Sequence, residues 1–411
     1  MMRLIQHMTW PGRGAVLLAV VLLVAGCARD PEPTVVTDPA TRQLVALANR
    51  ALEEGEFARA LALADSAARR APGTVEPLFL KGMIHSRTLQ LDEAEQAYRR
   101  VIELDPDFPG VWNNLGNNAV WRGAYQEALG YYARELEIAP DPKPWSSIGR
   151  IYQELGVVDS AAYAFEQAIA LDSSYVSAYL SYARLLEEEG AYERALALVE
   201  QAAAHEPESI EVQYMQGALL ERLGREAEAL PYLEAVTRAW PWHTESHYKL
   251  GQVLQRLGRE QESRAVLARA EELWKRQADI TTYQKGLTTD PGNPYAHAAL
   301  ATAYRMAGRY DEAIRSYKLA LTLEPDNLEF QNNLASLYFL KRDTVAAIRT
   351  YHRILEQDPG MVEVWVNLGI LYALSREPEA ARQAWMQALA QDPTNEKARR
   401  YLARLEAGGD S

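Results

Sequence analysis

One stretch limits what this chain can become more than any other: VWNNLGNNAVWRGAYQEALGYYARELEIAP, Val111 to Pro140. Its Trp112, Leu115, Gly116, Gly123, Tyr125, Ala128, Tyr132 and Pro140 mark a spacing that the sequence repeats. A second copy in the same register carries Trp365, Leu368, Gly369, Tyr372, Ala381, Trp385, Ala388 and Pro393. Following that register gives ten copies, which begin near residues 41, 75, 109, 142, 176, 210, 244, 294, 328 and 362. From 176 to 210 to 244 the interval is 34 residues each time. Self-similarity at such a period means one small helical unit stacked on copies of itself, because no unit can bury its apolar face alone. A small residue where two helices cross recurs from Ala60, Ala94 and Ala128 to Ala381, with Ser263 in the seventh copy. A proline that stops the second helix recurs from Pro72 and Pro106 to Pro393.

These spacings resemble those of the tetratricopeptide repeat (TPR) family. The resemblance implies an all-α fold, an α-solenoid of about ten helix hairpins in a right-handed superhelix, closed by EKARRYLARLEA from Glu396 as a capping helix. It divides the chain into repeats 1–7 over 41–277, an extra segment over 278–293, repeats 8–10 over 294–395, and a cap and tail over 396–411. It also implies that partners lie along a concave face lined by the first helix of each repeat. The family's inward positions fall on Asn113, Asn117, Trp121, Arg150, Gln153 and Arg184 in repeats three to five. In repeats six and seven they fall on Tyr214, Glu221, Arg222, Tyr248, Gln252 and Arg256. These two groups suit the hydrogen bonding of an extended peptide backbone, with aromatic anchors. In repeats nine and ten the inward positions are apolar: Phe339, Leu340, Val366, Ile370 and Leu374. That set either receives a partner helix or strand or packs beneath the C-terminal cap.

The period breaks once. Between the starts at 244 and 294 the interval is 50 residues, 16 more than 34. The surplus reads as an elongated helix, about 24 Å longer at 1.5 Å per residue, or as a degenerate half-repeat. Either would be a hinge or spur dividing seven repeats from three, or a tolerated insertion.

The only cysteine is Cys27, and it ends a short apolar run. Arg3 and Arg13 precede Ala15–Ala25, AVLLAVVLLVA, which falls well short of the roughly 20 residues needed to span a bilayer. Leu23-Val24-Ala25-Gly26-Cys27 resembles the lipobox of bacterial lipoproteins. That resemblance implies a signal peptide over 1–26, lipidation of Cys27, and a Pro-rich tether through residue 40. Two or three acyl chains hold a membrane stably where one does not. Ala28, rather than Asp, follows the cysteine, which favours the periplasmic face of a bacterial outer membrane.

A net charge of −13 and the lack of any basic run argue against nucleic acid as a partner. One cysteine leaves no disulfide or CxxC chemistry. No phosphate-binding loop, nucleophile elbow or zinc-protease helix occurs, and no cofactor is expected. His243 and His247, with Glu245 between them, have metal-ligand spacing, but one falls in a turn and the other at a packing position. The sequence therefore points to a non-catalytic, lipid-anchored scaffold that binds proteins or peptides in a cell-envelope complex. The alternatives are a periplasmic binder of carbohydrate or small ligands, using Trp121, Tyr214 and Tyr248 as stacking platforms, and an enzyme with an improvised metal site.

Overall fold

The computed structural model describes residues 38–408, so Cys27, the run before it and the tether as far as residue 37 lie outside the described residues. Within that span the chain forms ten consecutive helix pairs. The first five are α1 Pro39–Glu53 with α2 Phe57–Arg70, α3 Val75–Arg87 with α4 Leu91–Leu104, α5 Val111–Trp121 with α6 Tyr125–Ile138, α7 Pro142–Glu154 with α8 Val158–Leu171, and α9 Val176–Glu188 with α10 Tyr192–His205. The second five are α11 Ile210–Arg222 with α12 Glu226–Ala239, α13 Thr244–Arg256 with α14 Glu260–Thr289, α15 Pro294–Met306 with α16 Tyr310–Leu323, α17 Leu328–Leu340 with α18 Thr344–Gln357, and α19 Val362–Leu374 with α20 Pro378–Gln391. A final helix, α21 Glu396–Gly408, follows. Each helix packs on its hairpin partner and on the next in sequence, so the fold is an all-α solenoid. Eight of the ten first helices start at the residue the period gives; the others start at 39 and 111 instead of 41 and 109.

The reason lies in two complementary positions. Gly82, Gly116, Gly149, Gly217, Gly251 and Gly369 sit on the first helices, where a Cβ would come within 2.3 to 2.9 Å of a side chain on the second. Those side chains are Tyr98, Tyr132, Phe165, Leu233, Leu267 and Trp385. The missing Cβ leaves the hole and the large side chain fills it, a close-packed contact that six of the ten repeats share. At the crossing itself every alanine of the series from Ala60 to Ala381 is fully buried. Ser263, which replaces it in the seventh pair, settles its hydroxyl by donating to the Gly251 carbonyl at 2.7 Å. Helix starts are fixed locally: Asp38, Asp141 and Asn293 accept backbone N–H bonds just before Pro39, Pro142 and Pro294.

The long interval is one uninterrupted helix. α14 has 30 residues, about 45 Å at 1.5 Å per residue. Its first half packs as the second helix of its own pair. Its second half packs on α15, where Ile280 joins Leu300, Tyr304 and Tyr317 in a separate apolar cluster. All of residues 281–289 except Leu287 are exposed.

At the C-terminal end, Tyr401 of α21 stacks on Trp385 with ring centroids 5.4 Å apart, and Ala398 is fully buried. Val366, expected on the concave face, belongs to this core instead: it is 3% exposed, in one cluster with Trp385 and Ala398. The cap covers it, so it is no contact residue. Ile370 packs half-buried against the same cluster, and Phe339 against the cluster before it. Leu340 and Leu374 remain exposed.

The array also meets itself. α2 touches α16, and the Lys318 ammonium of α16 donates to the carbonyl of Glu54, 264 residues earlier.

Candidate functional site

Three of the inward residues of repeats three and four, Asn117, Trp121 and Arg150, converge in one cavity of about 530 Å³ between α5 and α7, lined also by Tyr125, Tyr132 and Glu154. Their side chains are linked. An Arg150 guanidinium N–H donates to Ser147 Oγ at 3.1 Å. Separately, the Tyr132 hydroxyl donates to Asn117 Oδ1 at 2.7 Å. Burial pushes the Tyr132 hydroxyl above its ordinary range, so it stays protonated as a donor. Because Asn117 Oδ1 is engaged, its amide donors and the rest of the Arg150 fork are the groups left to address the cavity. Trp121 stands at the edge, 70% exposed. A donor-rich recess beside an indole is suited to carbonyl or carboxylate oxygens next to an apolar side chain.

Asn113, one position group away, is not presented in the same manner. Its backbone N–H is held by Glu135, whose carboxylate also accepts from Gly110 and so caps the start of α5 from the facing helix. The Asn113 Oδ1 is buried and has no hydrogen-bond partner among the described residues. Gln153 is engaged as well, donating to Glu188 in the next repeat at 2.7 Å. Arg184 lies apart in a shallower recess of about 440 Å³ with Ser177, Ser181 and Glu211.

In repeats six and seven Tyr248 is 44% exposed, whereas Tyr214 is half-buried edge-on to His243, centroids 4.8 Å apart. Burial and the neighbouring Glu245 carboxylate push the Tyr214 hydroxyl well above its usual range. Arg222 is exposed. Arg256 is held by Glu221 at 2.8 Å and Glu226 at 3.4 Å. Glu221 is itself buried and also faces the buried Lys249 at 3.7 Å. This charged knot fastens α11 to α13.

The histidine pair is occupied by backbone. His243 Nδ1 accepts from the Ser246 N–H at 3.3 Å, capping α13, and His247 Nδ1 contacts the His243 carbonyl at 2.9 Å. Among the described residues no group of three or more His, Cys, Asp or Glu side chains is placed to hold a metal ion. No helix among them is long and apolar enough to cross a membrane.

The sequence profile of the tetratricopeptide repeat matches residues 45–107, 79–141, 214–278, 280–331 and 298–362. A second profile of the same description matches 153–219 and 338–405. Among curated proteins, the general transcriptional corepressor trfA of Dictyostelium discoideum is 27% identical over 124 residues, 29% of this chain and 9% of that protein. The human protein O-mannosyl-transferase TMTC1 is 37% identical over 68 residues, 16% of this chain and 8% of its own length. The chain thus spans less than a tenth of either relative. Among solved structures, Pseudomonas aeruginosa pilF aligns at 18% identity with a TM-score of 0.45, covering 50% of this chain and 95% of that one. PilW, a type IV pilus biogenesis factor, aligns at 16% with a TM-score of 0.46, covering 53% and 100%.

Proposed function

The chain belongs to the tetratricopeptide repeat family, and from that premise we propose that it is a non-catalytic scaffold that binds an extended segment of a partner protein on its inner helices. The carrying observation is the cavity of repeats three and four, where Asn117 and Arg150 donors sit beside the exposed Trp121 ring. Such a recess takes peptide carbonyls or a terminal carboxylate by hydrogen bonds and an adjacent apolar residue by stacking. We further propose that Cys27 carries lipid and holds the array at a bacterial membrane, on the periplasmic face of the outer membrane, within a cell-envelope complex. Support for this part is the sequence around Cys27: the apolar run and small residues before it and Ala28 after it.

The test is affinity capture from crosslinked native membranes with wild type, the Trp121→Ala/Arg150→Ala double variant and Cys27→Ser. A recurring envelope partner is expected with wild type and lost with the double variant at unchanged helicity; the affinity cost is about 2 kcal/mol or more, roughly thirtyfold. Cys27→Ser is expected to leave the membrane fraction. An unchanged partner set in the double variant would move the binding face elsewhere, and a membrane-bound Cys27→Ser would remove the anchor.

A further inference from the structure

At two junctions a groove lies where the second helix of one repeat meets both helices of the next. In repeats five and six it is lined by Leu196, Glu200, Gln213, Leu220, Arg225 and Tyr232. The corresponding groove of repeats eight and nine, formed by α16, α17 and α18, has an occupant: the turn between α1 and α2, residues 55–59, which lines a shared cavity of about 370 Å³.

The fit is chemical. The last carbonyls of a helix have no partner within it and carry its negative end. Glu54, the residue after α1, gives its carbonyl to the ammonium of Lys318. The next residue is Gly55, at φ +70°, where a Cβ would lie 3.0 Å from Lys318 Cδ; a bare turn lets the lysine stem lie along it. The same ammonium lies 6.0 Å from the centre of the Tyr338 ring. Charges are complementary across the contact. Glu54 and Glu56 of the turn bear on Lys318, and Arg349 bears on Glu54. Arg349 and Arg353 of α18 line the cavity.

We propose that the groove of repeats eight and nine is an interaction surface for the turn of the chain's own first repeat, which latches repeats one to nine into one closed turn. The contact involves this chain alone, and it stands or falls independently of whether the inner helices bind a partner.

Zero-length carbodiimide crosslinking of the full chain tests it, since that reagent condenses an amine with a carboxylate that side-chain motion brings against it, forming an amide and releasing water. Peptide mapping is expected to find Lys318 joined to Glu54 or Glu56 within single chains, at a yield that serial dilution does not change. Arg349→Glu, which keeps the reactive lysine, is expected to abolish that product, while Arg315→Glu, exposed on the same α16, leaves it. In solution scattering, Lys318→Glu and Arg349→Glu both enlarge the radius of gyration at unchanged helicity. Three results would overturn the proposal: no such product in wild type, a product confined to dimers or falling with dilution, or Arg349→Glu leaving both product and dimensions as they were. If Lys318→Glu unfolds repeat eight, Arg349→Glu on the neighbouring repeat still decides.

Discussion

At the scale of single residues the fold depends on one backbone position in each hairpin. The turn between first and second helix passes through left-handed backbone, and Gly55, Gly123, Gly156, Gly190, Gly224, Gly258 and Gly308 supply it. Three repeats do without glycine: Leu89, Arg342 and Arg376 hold φ of 60° to 62°. A side chain there is strained. Arg376→Gly is therefore expected to raise stability by about 1 kcal/mol, read as a later chemical unfolding midpoint; an unchanged or earlier midpoint would contradict it. The helical glycines behave in the opposite way. Gly116→Ala drives a Cβ to 2.5 Å from Tyr132, an overpacking that costs about 1–3 kcal/mol. It would also disturb the Tyr132 to Asn117 bond, so binding and unfolding should suffer together.

At the scale of helices, the period placed most first-helix starts to the residue, because glycine, alanine and proline each occupy a position that only their geometry fits. The seventh interval was not decidable in that way. From Trp274 to Lys285 no proline or glycine interrupts the sequence, and an apolar residue every few positions serves a long helix and a half-repeat equally. The inward set was legible only as positions. Spacing says which residues face the groove, but not that Gln153 is engaged by Glu188 or that Val366 lies under α21. The Glu221, Lys249 and Arg256 knot was missed for a related reason: each residue reads as ordinary helix surface until α11 and α13 are side by side. Its energetics give a prediction. Glu221→Ala leaves the buried Lys249 only the exposed Glu245 carboxylate at 4.0 Å and is expected to destabilise by about 3 kcal/mol, the low end of the cost of breaking a buried pair. Adding Lys249→Met should restore most of that in a denaturant titration. A single variant near wild type would mean Lys249 escapes to water.

At the scale of the molecule, burial lowers the affinity of His243, His247 and His297 for protons below the ordinary histidine value of 6.5. The unfolded chain then binds these protons more readily than the folded one. Their contribution is complete above about pH 6.5 and declines as pH falls below it. Thermal unfolding near pH 5 should begin earlier than at pH above 7, and His297→Gln should reduce the difference; a flat profile would refute it. Contact between the first repeat and the eighth had no signal in the sequence, since nothing in a local pattern relates Glu54 to Lys318. What α14 does under load follows from its plain geometry. The apolar core of repeats four to seven stops short of the cluster that begins at Ile280, and between them run the single helical rod of α14, with Ala270 and Leu273 buried along it, and a bridging contact, Arg309 over the Trp242 ring at 4.8 Å. Pulled by its ends, once the first repeat has let go, the molecule is two springs in series joined by that rod. Seven repeats and three should extend as separate groups of force steps, with the rod as the part that gives between them.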